Sequence, residues 1–111
     1  MSKKQVRKNF RDACYKRDKY SCVTCGLKSS KEKAEQELDA HHITDRSLMP
    51  SQGYVKENGI SLCPDCHLKA EEFHSTGTPH PGYAPEDLYQ KINSTYEKAV
   101  EASNRLKDGS S

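Results

Sequence analysis

The chain has 111 residues, of which 32% are hydrophobic, with no Trp and two Phe. That length makes one domain, and the apolar content excludes both a large core and a membrane-spanning run of about 18 residues. The net charge of +2 is uneven: residues 1–20 hold eight Lys and Arg against two Asp, a net of +6, so the remainder carries −4.

The N-terminus, MSKKQVRKNF, is basic but lacks the apolar stretch of a signal peptide. The expected location is therefore cytoplasmic, in a reducing compartment where paired cysteines serve as metal ligands more often than as disulfides. Residues 3–17 read as a helix: Val6, Phe10, Ala13, Cys14 and Arg17 follow a 3–4 spacing and basic residues cover most of the rest. Such a basic segment fits an anionic partner or a solvated helix face. Cys14 lies on its apolar side and reads as a small buried hydrophobe rather than a ligand.

YSCVTCGLKSS follows, a tight Cys-x-x-Cys turn closed by Gly26. Residues 28–36 are polar and read as a loop or short helix. ELDAHHI reads as a strand, and TDRSLMPSQGYVKENG as a long loop punctuated by Pro50, Gly53 and Gly59. GISLC is a second strand. PDCHLKAEEFH reads as a helix with Pro64 near its start. STGTPHPGYA is a breaker-rich linker, and His80 is assigned to it as a mobile residue. A last helix is expected over 85–107, with Leu88, Ile92, Tyr96, Ala99, Val100 and Leu106 as its apolar stripe. DGSS reads as a frayed tail. The expected organisation is a basic N-terminal helix (1–20), a zinc-stapled core (21–75), a linker (76–84) and a C-terminal helix (85–107).

Cys22, Cys25, Cys63 and Cys66 form two Cys-x-x-Cys turns separated by 37 residues. Four thiolates from two such turns complete a tetrahedral zinc site, and structural zinc supplies the folding free energy that a thin core does not. A redox dithiol is the rival reading, but thioredoxin-like motifs come singly within a βαβ pattern, which is absent here.

Between and after these turns lie His41, His42, Asn58, His67, Glu71 and His74. The pieces YKRDKYSCVTCG, LDAHHI, ENGISLCPDCH and the helix to His74 resemble the HNH nuclease family, the ββα-metal or His-Me finger group, in its zinc-stapled form. The resemblance covers residues 15–74. It implies an α+β fold, a ββα-metal core stapled by a four-cysteine zinc site with flanking N- and C-terminal helices. It implies metal-dependent hydrolysis of DNA phosphodiesters, leaving 5′-phosphate and 3′-hydroxyl ends. It makes His42 the general base, His41 and His67 ligands of a catalytic ion, and Asn58 the residue that orients the base and holds the loop. The family often has a histidine four residues after the His67 position. Here Glu71 stands there, as in a known variant of the motif. Small free-standing members of this kind occur in phages and bacteria, and the sequence leaves open whether a packaging or restriction partner protein directs this one.

Residue chemistry is compatible with these roles. An imidazole near neutrality can take a proton from water, and one divalent ion can stabilise the phosphorane and the leaving oxygen. Successive strand residues face opposite sides, so a bend or strand end is expected at His41–His42. On the helix, His67 and Glu71 stand about 6 Å apart along the axis, and His67 and His74 about 10.5 Å. Glu71 is thus the expected third ligand, with His74 as the alternative. A carboxylate also suits Mg²⁺ or Mn²⁺, with Zn²⁺ or Ni²⁺ as alternatives. Asp39 shares a strand face with His41 and could orient its ring. Lys3, Lys4, Arg7, Lys8 and Arg11 are the expected DNA-backbone contacts, and Arg46 a candidate phosphate clamp. The alternative function is a non-catalytic zinc module that binds nucleic acid or protein.

Overall fold

Ser2 caps the first helix, its hydroxyl accepting from the Gln5 amide at 3.1 Å, and the helix α1 runs Lys3–Arg17 as the periodicity predicts. The computed structural model describes residues 2–109, with side chains described through residue 106. Phe10, Cys14 and Tyr15 form the buried side of α1. Arg17 and Asp18 tie its C-terminus down. The guanidinium pairs with Asp18 at 2.7 Å and also donates to the Lys56 and Gly59 carbonyls, while Asp18 accepts from the Ser61 amide. Lys19 and Tyr20 then turn with positive φ into the first cysteine turn.

Gly26, at φ 82°, closes that turn, and its amide donates to the Cys22 carbonyl. A left-handed residue is needed there, and glycine adopts that conformation without steric cost. The helix α2 covers only Ala34–Glu37. β1 (Asp39–His42) and β2 (Gly59–Leu62) pair antiparallel in a two-stranded sheet, with His41 opposite Ile60 and His42 opposite Gly59. Between them the chain makes three short 3-10 turns, with Ser51, Gln52 and Gly53 all at positive φ.

Pro64 stands in the first turn of helix α3 (Pro64–Thr76), where its missing N–H costs nothing, and Gly77 ends the helix at φ 75°. The sheet, α1 and α3 pack around Leu38, Ile43, Ile60 and Leu62, all nearly inaccessible. β1, β2 and α3 make the ββα unit of an α+β fold. Among the described residues, no helix is long and apolar enough to cross a membrane.

The C-terminal region differs from the single helix expected over 85–107. It is two helices, α4 (Pro85–Lys91) and α5 (Tyr96–Gly109), broken at Asn93, which takes φ 56°. The break has a local chemistry. Asn tolerates the left-handed region, the Ser94 hydroxyl donates to the Glu57 carbonyl at 2.9 Å, and the Thr95 hydroxyl caps α5 by accepting from the Lys98 amide. Tyr96, assigned to the apolar stripe, is 48% exposed, whereas Leu88 and Ala99 are buried. The expected frayed tail is helical through Gly109, and its last two residues lie outside the described residues. The linker also differs from expectation. His80 pairs with Glu72 on α3 at 2.5 Å and Tyr83 packs beneath Lys69, so the segment is tied along the helix.

Candidate functional site

Zinc chemistry requires four thiolate sulfurs at tetrahedral spacing, about 3.8 Å apart for a Zn–S bond near 2.3 Å. The Sγ atoms of Cys22, Cys25, Cys63 and Cys66 all lie within 4.8 Å of one another, and Cys25 and Cys63 are 3.7 Å apart. Burial pushes the Cys63 thiol up to about 12, whereas at Cys22 the Thr24 hydroxyl and nearby backbone amides outweigh burial and bring the group down to about 6, so Cys22 is the sulfur that most readily carries the negative charge. The amide of Val23 donates to the Ser61 carbonyl, which ties this turn to β2. The donor set therefore fits structural zinc. Cys14 stands apart, fully buried, with its thiol pushed up to about 12 by burial.

A second cluster forms where β1 crosses α3. Contacts advance in the same sense along the two elements: Asp39, early in β1, meets His67, and His41 meets Glu71 and His74 further along. Asp39 Oδ2 is 3.2 Å from His67 Nδ1, so the Asp39 carboxylate orients His67 and not His41, contrary to the sequence expectation. The His41 Nδ1 and Glu71 Oε2 atoms are 3.2 Å apart, and Glu71 Oε2 is also 3.4 Å from His67 Nε2. The ligand atoms of His41, Glu71 and His74 lie within 4.8 Å of one another.

His74 lies seven positions after His67 on α3, and the axial distance alone weighs against it. His41 removes that objection by entering between them, its ring centroid 5.2 Å from each. His74 Nε2–H donates to the His42 carbonyl at 2.8 Å, which leaves Nδ1 with a lone pair free to ligate.

His41 supplies the test of metal fit. Its ring is 1% exposed, and neither nitrogen has a hydrogen-bond partner among the described residues. The approach of Glu71 lacks hydrogen-bond geometry despite its length. Two unpartnered nitrogens in a buried imidazole are costly unless something else satisfies them. A donor set of imidazoles and one half-exposed carboxylate fits a divalent ion that does so. Burial, then the positive character of His67 and His74, pull His41 down to about 3, so it is neutral and ligand-competent at neutral pH.

β1 ends at His42, as expected, but the two rings leave opposite faces of the strand. His42 packs on Phe10 of α1, with ring centroids 4.6 Å apart, and meets Tyr54 edge-on at 4.7 Å. Burial, followed by the Arg46 charge, lowers it to about 4.

Asn58, fully buried, holds the loop that follows His42. Its side chain accepts from the Thr44 amide at 2.9 Å and donates to the Thr44 and Gly53 carbonyls, and its own carbonyl accepts from the Ile43 amide. None of its side-chain bonds goes to the His42 ring.

The basic residues divide. Lys8 pairs with Asp12 at 2.6 Å and Arg11 with Glu35 at 3.4 Å. Lys3, Arg7 and Arg46 instead line an open cavity of about 570 Å³ over the loop after His42. Arg46 Nη1 donates to the Tyr54 hydroxyl at 2.8 Å, and the Arg7 guanidinium lies 5.9 Å from the centre of the same ring. Lys4 is exposed on α1. Phe10 and Tyr54 were not among the sequence-predicted site residues. Phe10 read as ordinary core, and Tyr54 fell in a loop with no pattern.

The HNH endonuclease family model matches residues 22–73, from the first zinc cysteine to the last turn of α3. Residues 22–73 thus match an HNH domain, and the ββα unit with its four-cysteine cluster is consistent with the zinc-stapled ββα-metal form of that domain. No curated protein and no solved structure matches the chain.

Proposed function

We propose that the protein is a metal-dependent endonuclease that hydrolyses DNA phosphodiester bonds, with His42 as general base. The observation that carries this reading is His41, a buried imidazole with two unpartnered nitrogens, facing a carboxylate and a second imidazole whose tautomer is set. Such a set is costly without a cation and serviceable with one. Mg²⁺ or Mn²⁺ held by His41, Glu71 and His74, with His67 beside them, would supply charge stabilisation for the phosphoryl oxygens and the leaving oxygen.

This chain's own groups do the rest. His42 leaves the other face of the same strand end, neutral, and takes the proton as a water oxygen attacks phosphorus. The bond from phosphorus to O3′ breaks, which leaves a 5′-phosphate and a 3′-hydroxyl. Asn58 fixes the backbone that follows His42, and Lys3, Lys4, Arg7 and Arg46 offer positive charge to the DNA backbone.

The test is incubation of purified protein with supercoiled plasmid and Mg²⁺, Mn²⁺ or EDTA. Cleavage with metal is expected, abolished by EDTA and reduced about 10²-fold or more in His42→Ala, the scale of a positioned base. The ratio of nicked to linear product reports single- or double-strand cutting. Binding of DNA without cleavage under any metal would instead favour a non-catalytic zinc module.

A further inference from the structure

We propose that Phe10 and Tyr54 are positioning residues for catalysis, an aromatic clamp that fixes the imidazole of His42, so that helix α1 forms part of the active site. The inference rests on His42 being the base. It concerns residues of which one, Phe10, lies outside the family-matched segment 22–73.

The three rings form a closed cluster. Phe10 stacks on His42 at 4.6 Å with an interplanar angle of 25°, Tyr54 meets His42 edge-on at 86°, and Phe10 meets Tyr54 edge-on at 5.5 Å. These are favoured aromatic geometries. A general-base histidine is ordinarily oriented by a hydrogen bond to one ring nitrogen. Here His42 Nε2 is buried with no such partner among the described residues, and the Asn58 side chain bonds elsewhere. Ring packing is what remains to set its orientation.

Strand register makes the clamp possible. His42 pairs with Gly59, so the two residues share a face of the sheet. A Cβ at Gly59 would fall 2.5 Å from Phe10 Cε1 and 2.4 Å from Cys14 Sγ. The space that a cross-strand side chain would occupy is thus filled by Phe10. Its place is set by the Arg17–Asp18 tie, which fastens the end of α1 to the Gly59 carbonyl and the Ser61 amide. On the other side, Arg46 holds the Tyr54 hydroxyl and Arg7 covers its ring. Burial pushes the Tyr54 phenol up, but Arg46 and Arg7 together hold it below its ordinary value, so both cations act on this ring.

The experiment measures single-turnover cleavage of a short duplex, with enzyme in excess, for Phe10→Leu, Tyr54→Leu, Tyr54→Phe and His42→Ala. Each of the first three is also combined with His42→Ala. At saturating enzyme, Phe10→Leu and Tyr54→Leu should lower the cleavage rate about tenfold or more, as misplaced catalytic groups do, with zinc content unchanged. Tyr54→Phe keeps the ring and should stay within about threefold of the parent. In the His42→Ala background the leucine substitutions should produce no further loss, because they act only through that ring.

Parent rates in both leucine variants beside an inactive His42→Ala protein would overturn the clamp and leave the base assignment standing. Parent rates in His42→Ala would remove the base assignment and the clamp with it. An equal further loss in the His42→Ala background would mean that the aromatic residues act elsewhere, and the clamp would fall. Should Phe10→Leu not fold, Tyr54→Leu in the half-buried loop gives the same discrimination.

Discussion

The Tyr89 hydroxyl donates to the Asn58 amide oxygen at 2.7 Å, joining α4 to the residue that holds the loop after His42. Tyr89 Oη also contacts the Thr44 hydroxyl at 2.6 Å, so one phenol ties the two ends of that loop. Helix α4 lies beyond the family-matched segment, yet it reaches the centre of it.

Tyr89→Phe removes two hydrogen bonds, to Asn58 and to Thr44, and should cost about 2 kcal/mol in urea unfolding of the zinc-loaded protein. Asn58→Ala leaves the Thr44 amide, the Thr44 carbonyl and the Gly53 carbonyl short of partners, and should cost about 3 kcal/mol. Equal losses for the two variants would show that α4, and not Asn58, holds the loop.

Zinc should be present at one ion per chain, and Cys63→Ser should lose both the ion and the fold. The motive is the fit of four sulfurs within 4.8 Å in a chain whose buried apolar side chains are few. Elemental analysis checks the stoichiometry, and circular dichroism after chelation checks the dependence. A cooperative fold that persists without zinc would count against the staple.

Legibility differed by the range of the interaction. The zinc turns could be read because two residues between cysteines impose the local geometry, and the resemblance to the HNH family fixed their partners. Helix α1 could be read because its apolar spacing repeats. The break at Asn93 could not, since the apolar stripe continues across it and the Ser94 hydroxyl bonds to a carbonyl 37 residues away. Strand alternation alone pairs Asp39 with His41. The direction of α3 beside β1 decides that it meets His67. The packing of Phe10 on His42 depends on strand register and on a glycine opposite, and neither is visible from the helix that carries Phe10.

DNA affinity should fall steeply with salt, and the slope should depend chiefly on Lys3, Arg7 and Arg46. Removing one cation that meets a phosphate should flatten that slope by about 1. Lys8 and Arg11 already face Asp12 and Glu35, so neutralising them should change the slope less. Fluorescence anisotropy of a labelled duplex with the His42→Ala protein measures this without cleavage. Unchanged slopes in an Arg7→Gln, Arg46→Gln double variant would make the cavity over the loop irrelevant to DNA.

Glu71 should be the most sensitive ligand of the catalytic ion. Its Oε2 is 3.2 Å from His41 Nδ1 and 3.4 Å from His67 Nε2, and its carboxylate also belongs to the group with His74. It thus reaches both ends of the histidine row on α3. It is also the one anionic group among these donors, and hard divalent cations favour oxygen ligands. Glu71→Ala should therefore weaken Mn²⁺ binding, measured by calorimetry on the zinc-loaded protein, by on the order of a hundredfold. His67→Ala and His74→Ala should each cost less, because an imidazole remains on the other side of His41. Of these two, the larger loss marks the end of the cluster at which the ion is held. His41→Ala should resemble Glu71→Ala in binding, and raised Mn²⁺ should restore part of its cleavage. The same addition should not restore His42→Ala, whose ring faces away from the cluster. Mn²⁺ affinity unchanged in Glu71→Ala would place the ion elsewhere, and the unpartnered nitrogens of His41 would need another explanation.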